Sequence, residues 1–163
     1  MIKIFVLHRL LRNISSDFPI SRSLSPAHLL SFRTQIDLKI GSIGEVIQSL
    51  AGQFDFVYID ADKKGCWNYL TALIGDNPQD PTRPSLLSPG ALILTDNTLW
   101  KGRVVEEPMP SQCVMDKKQQ RSEQLTRAIH DFNQRCASHP LLRTVMVPLR
   151  DGLTISRYVP NAP

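Results

Sequence analysis

From Ile36 onward, apolar and polar residues alternate in two distinct rhythms. IDLKI (36–40) has the two-residue period of a short strand, and GSIGEVIQSLAG (41–52) sets Val46, Ile47 and Leu50 on one face between glycines, which predicts a helix. FDFVYID (54–60) is an apolar strand that ends in an acid. A helix is expected over about Trp67–Ile74, and GDNPQDPTRPSLLSPG (75–90), dense in turn formers, reads as a loop. ALILTDN (91–97) is a second apolar strand ending in polar residues. Leu125, Ile129 and Phe132 recur at helical spacing within a helix over roughly Asp116–Ala137. LRTVMVPL (142–149) and LTISRYV (153–159) are strands joined by the turn Arg150-Asp151-Gly152. Strands and helices that alternate in this way predict an α/β fold. Its sheet should be mostly parallel and buried on both faces, with an antiparallel edge at the C-terminal hairpin.

Residues 1–35 are different. IKIFVL could form a first strand, and residues 12–27, rich in Ser, Asn and Pro, read as a loop or linker. Composition changes the picture mainly here. The net charge of +4 comes entirely from this segment, where Lys3, Arg9, Arg12, Arg22 and Arg33 face Asp17 alone. The remaining surface is balanced and carries no footprint for nucleic acid. No apolar run reaches the ~18–20 residues of a membrane span, so neither nucleic acid nor membrane is an expected partner. Cys66, Cys113 and Cys136 fit no metal or redox spacing and read as reduced thiols of a cytoplasmic protein. The basic, Ser-containing start makes mitochondrial import a lesser reading.

Ligands of open parallel sheets bind beyond the carboxyl ends of the strands. Two strands here end in oxygen donors: Asp60 and Asp62 after FVYI, and Asp96 and Asn97 after LILT. If those strands pair, Asp60, Asp96 and Asn97 converge at one mouth and suit a hard divalent cation such as Mg²⁺, Mn²⁺ or Ca²⁺. Caps of the following segments are the plainer alternative for each residue taken singly. Lys63 and Lys64 follow directly, as a general-base candidate or as a solvated pair. Trp100 sits where it could wall an aromatic substrate or pack in the core.

FDFVYIDADKKGCWNYL, LLSPGALILTDNTLWKGRVVEE and VPLRDGLTISR together resemble the cation-dependent O-methyltransferases, the family of the caffeoyl-CoA and catechol O-methyltransferases. The motifs come in family order, and the resemblance covers residues 36–163 as the C-terminal part of such a domain, leaving 1–35 as a basic segment that does not match. It implies a class I methyltransferase-like (Rossmann-like) sheet that lacks its first two strands. It also implies methyl transfer from S-adenosyl-L-methionine to a phenolic or catechol hydroxyl of a small aromatic substrate, with a divalent cation, in a protein that can form a homodimer. By motif position, Asp60, Asp96 and Asn97 are similar to the metal ligands, Asp62 to a contact of the cofactor's methionine part, and Lys63 to the base. Trp100 and Lys101 fall where acceptor pockets are lined, and Ile43 falls where a small alanine approaches the adenine. The family's first strand carries a glycine-rich loop, whereas residues 1–35 contain no glycine. Two readings follow: an active O-methyltransferase, or an inactive truncated remnant that pairs with a full-length relative.

Overall fold

The computed structural model describes residues 3–7, 39–76, 82–105 and 116–160. Five strands form one sheet in the order β1-β2-β3-β5-β4: β1 (Lys3–Leu7), β2 (Phe54–Asp60), β3 (Leu87–Asp96), β4 (Leu142–Val147) and β5 (Leu153–Tyr158). Three α-helices, α1 (Ile43–Ser49), α2 (Cys66–Ile74) and α3 (Lys117–Ser138), and a single 3-10 turn (Arg103–Val105) complete the described elements. The α/β class, the Rossmann-like sheet and its antiparallel C-terminal hairpin are as the pattern predicts.

The parallel pairing lies at the centre, where Val57 opposes Ile93 and Ile59 opposes Thr95 in β2 and β3. β5 runs antiparallel to both β3 and β4. β1 runs antiparallel to β2, with Lys3 opposite Asp60 and Leu7 opposite Phe56. Alternation predicted a strand there, but a two-residue period carries no information on direction.

Two expectations need correction. The strand expected over 36–40 is not formed at its described residues: Lys39 and Ile40 lie outside any strand, and Ile40 is 91% exposed. Among the described strands none pairs with this segment. Residues 36–38, like the linker read over 12–27, lie outside the described residues. The loop expected through Gly90 ends earlier, because β3 already begins at Leu87. Phe54 pairs with Leu87 but Phe56 pairs with Leu92, so the register shifts between them, and Gly90 at φ +86° supplies the left-handed residue that such a bulge uses. Pro89 is tolerated in this irregular stretch because it need not donate to a ladder.

Helix ends follow local chemistry. Ser42 caps α1 by accepting the Glu45 amide, and Asp116 forms a capping box with Gln119 at the start of α3. Gly75, left-handed at φ +82°, ends α2.

The two faces of the sheet are treated oppositely. Val57, Ile59, Ala91, Ile93, Thr95, Thr154 and Ser156 alternate onto one face and are buried. Leu70 and Leu73 of α2, Phe132 and Cys136 of α3 and Ile47 of α1 complete the core. The alternate set points the other way: Phe56 and Tyr58, Leu92 and Leu94, Leu153 and Ile155, Val145 and Val147. All of these are half-buried or exposed, Val145 by 59%. A parallel pair is normally covered on both faces; here the described helices cover one.

Candidate active site

The parallel register places Asp60 beside Asp96, because Ile59 pairs with Thr95 one residue earlier on each strand. Both acids share the open face with Tyr58, two residues before Asp60. The Tyr58 hydroxyl donates to Asp96 Oδ2 at 2.6 Å, and the backbone N–H of Asn97 donates to Asp96 Oδ1 at 2.7 Å. The Tyr58 phenol is pushed up to about 12, chiefly by that hydrogen bond, then by desolvation and the negative charges of Asp96 and Asp60. It remains a neutral donor at physiological pH. Lys63 reaches the same mouth and donates from Nζ to the Asp96 carbonyl at 2.7 Å. Lys63, Asp96 and Asn97, with Cys66, Thr98 and Phe132, line a narrow crevice at the strand end.

The donor chemistry fits a hard divalent ion in part. Among the described residues no group of three or more His, Cys, Asp or Glu side chains is placed to hold a metal. The candidate set has two carboxylates and depends on the Asn97 amide as its third protein donor. Each Asp96 carboxylate oxygen accepts one hydrogen bond and keeps a second lone pair for an ion.

Asp62 is engaged differently. Its Oδ1 accepts the Gly65 amide at 3.0 Å and its Oδ2 accepts the Tyr69 hydroxyl at 2.5 Å. Burial and this bond raise the Tyr69 phenol further above its usual value. A Cβ on Gly65 would come within 2.3 Å of the Tyr69 hydroxyl oxygen and 2.7 Å of Asp62 Oδ2, so the Tyr69–Asp62 pair would have to shift. The direction of β1 bears on the cofactor as well. Its C-terminal end, Leu7, lies beside Phe56, while its first residue, Lys3, lies beside Asp60. A strand with a glycine loop facing Asp62 would have to run the other way. Among the described residues, Asp62 is therefore the only one of the expected cofactor contacts found beside the Asp60–Asp96 mouth. Ile43 opens α1 and is buried in the apolar core.

Trp100 and Lys101 sit in the loop after β3, which is unusually left-handed: Asn97, Trp100, Lys101 and Gly102 all have φ between 48° and 81°. Trp100 is half-buried and Lys101 exposed. The loop is held from both sides. Thr98 N donates to the Gly152 carbonyl at 3.1 Å and Leu99 N to the Asp151 carbonyl at 2.8 Å, while Lys101 N donates to Asp151 Oδ1. From α3, Asn133 Nδ2 donates to the Thr98 carbonyl at 2.8 Å, and Arg103 bonds Ser122.

Tyr58, Tyr69, Asn133 and Asp151 escaped the sequence reading. A position two residues before Asp60 on a strand shares its face, so Tyr58 was within reach of pattern reasoning. The partners of Asn133 and Asp151 are distant in sequence and leave no local signal. The Thr98 hydroxyl is buried with no hydrogen-bond partner among the described residues. Thr98→Val is therefore expected to stabilise the fold by about 1 kcal/mol, read as a higher urea midpoint at unchanged slope, because it removes an unpaired polar group while keeping the shape.

The Asp60 and Asp96 carboxylates stand at the carboxyl edge of the parallel strands, where open α/β sheets bind their ligands. Comparison with known proteins gives the family. The O-methyltransferase family model matches residues 27–159, and the chain belongs to that family. Caffeoyl-CoA O-methyltransferase 1 of Arabidopsis thaliana is 31% identical over 153 residues, which are 90% of this chain and 51% of that protein. Tricin synthase 2 of Oryza sativa subsp. japonica is 29% identical over 85% of this chain and 42% of its own length. The chain thus spans about half the length of the curated relatives it matches. Among solved structures, an SAH-bound methyltransferase of Podospora anserina superposes with a TM-score of 0.60 at 22% identity, over 82% of this chain and 57% of that one. An O-methyltransferase from Bacillus cereus in complex with SAH gives 0.51 at 20% identity, over 72% and 46%. At these identities the structural likeness shows the fold. Among the described residues no helix is long and apolar enough to cross a membrane.

Proposed function

We propose that this chain carries the metal and acceptor side of an S-adenosylmethionine-dependent O-methyltransferase site, for transfer of a methyl group to a phenolic or catechol-type hydroxyl of a small aromatic substrate. The observation that carries the reading is the side-by-side placement of Asp60 and Asp96 at the end of the one parallel strand pair, with Lys63 anchored beside them. Asp60, Asp96 and Asn97 would hold a hard divalent ion, Mg²⁺, Mn²⁺ or Ca²⁺. When bound, such an ion lowers the pKa of a hydroxyl it touches and orients it.

The chain's own residues supply the rest of what can be derived. Tyr58 fixes the Asp96 carboxylate by its hydrogen bond. Lys63 places its terminal nitrogen at the mouth, where in its neutral form it would take the proton of an acceptor hydroxyl. Trp100 and Lys101, in the loop that follows Asn97, would give the acceptor side a ring and a charge. Methyl transfer itself is an in-line displacement, so positioning is most of the catalysis.

The second reading, an inactive remnant that associates with a full-length relative, is favoured by one set of observations. Asp62 is already satisfied by Tyr69 and Gly65, and β1 runs antiparallel to β2. One pair of titrations separates the readings. Manganese titration followed by electron paramagnetic resonance should give a weak, saturable site, and calorimetry with SAH should give a dissociation constant near or above millimolar, since among the described residues Asp62 is the one expected cofactor contact near the site. Micromolar SAH binding that Asp62→Ala removes would favour the active enzyme. Absence of any saturable manganese site would overturn the metal assignment.

A further inference from the structure

The loop that carries Asn97, Trp100 and Lys101 is not shaped by its own sequence. Three non-glycine residues in it adopt left-handed backbone angles, each of which L side chains resist. Trp100 and Lys101 do so consecutively and gain nothing from the local hydrogen bonding that lets Asn or Asp tolerate the conformation. Such a segment persists only when its surroundings over-determine it.

The surroundings are the β4–β5 turn. Asp151 meets the loop twice: its backbone carbonyl accepts Leu99 N at 2.8 Å and its carboxylate Oδ1 accepts Lys101 N. The next residue, Gly152, accepts Thr98 N at 3.1 Å and lies so close that a Cβ on it would come within 2.5 Å of Leu99 N. Three loop residues, Thr98, Leu99 and Lys101, are thereby held by two residues of a turn some fifty positions away. On the other side, Asn133 of α3 takes the Thr98 carbonyl, and Thr154, just after the turn, reaches the same Asn133 side chain at 3.5 Å.

From this clamp we infer that Asp151 is a positioning residue for the loop Asn97–Gly102: its carboxylate holds the left-handed turn that fixes the backbone following Asp96, and with it the directions of the Asn97, Trp100 and Lys101 side chains. The part of the inference that concerns the metal rests on the reading in the preceding section. A carboxylate serves here as a fixed acceptor, so an asparagine oxygen can do the same work and an alanine cannot. The effect is local, because Asp151 is only half-buried and lies on the turn rather than in the core.

Hydrogen exchange followed by mass spectrometry on the full chain tests the clamp without reference to the metal. In Asp151→Ala, peptides containing Leu99–Lys101 should exchange at least about 10-fold faster, while peptides of α2 and β2 stay unchanged and the melting temperature moves little. Asp151→Asn should restore most of the protection. Manganese affinity, measured on the same proteins, should fall about 10-fold in Asp151→Ala and recover in Asp151→Asn, the range expected when the support of a ligand is lost. Unchanged loop exchange in Asp151→Ala overturns the proposal. So does faster exchange with manganese affinity equal to that of the parent chain, because the loop would then not position Asn97. If the parent chain itself binds no manganese, the proposed function falls, and loop exchange alone decides whether Asp151 holds the loop.

Discussion

Asp96→Ala is expected to weaken divalent-ion binding by more than about 100-fold, which is about 2.7 kcal/mol or more. Loss of residues that merely support a metal ligand already costs 10–100-fold, and Asp96 is one of only two carboxylates in the candidate set. The substitution also frees the Tyr58 hydroxyl and the backbone N–H of Asn97, both of which now donate to Asp96. Those groups face the mouth and the open side of the sheet, where water can take over, so the fold should lose less than the site does. Tyr58→Phe separates the two effects. It removes the hydrogen bond and keeps the charge, and it should weaken manganese binding by no more than the 10–100-fold of a supporting contact. Asp131→Asn, on the exposed side of α3, should leave binding unchanged. Manganese titration of all four proteins gives the answer. Equal affinity in Asp96→Ala and the parent chain would remove Asp96 from the site.

Gly152→Ala is expected to cost about 3 kcal/mol of stability. Two penalties act together. Gly152 has φ +86°, where a Cβ costs roughly 1–2 kcal/mol. The new methyl would also stand 2.5 Å from Leu99 N and 2.6 Å from Leu99 Cγ. The first of these atoms is backbone already committed to the Asp151 carbonyl, so it cannot swing aside as a flexible side chain would. Overpacking of this kind typically costs 1–3 kcal/mol. Urea denaturation checks the value. A loss below about 1 kcal/mol would mean that the turn does not bear on the loop.

Much of this architecture was legible from residue types. β2, the three helices and the C-terminal hairpin fall within a few residues of where periodicity puts them, because each buries a stripe or a face against one core. The convergence of Asp60 and Asp96 was legible for a topological reason: two apolar strands that each end in an acid bring those acids together once they pair in parallel. Direction was not legible. KIFVL reads the same whichever way it runs, yet its antiparallel course puts Lys3, not Leu7, beside Asp60. The start of β3 was hidden by Pro89 and Gly90, which signal a loop but here make a bulge inside a strand. Asp151 was hidden because its role comes from a turn meeting a loop across the fold.

Half a surface of oil has consequences for the life of a protein in the cell. Phe56, Leu92, Leu94, Val145, Val147 and Ile155 form a ridge across four neighbouring strands that no described helix covers. To a chaperone, a finished domain and an unfinished one differ by the presence of such a ridge. The described residues of this chain present that ridge with no helix over it. Where such a ridge stays open, the level of a protein depends on how quickly holdases and proteases find it as well as on its unfolding equilibrium.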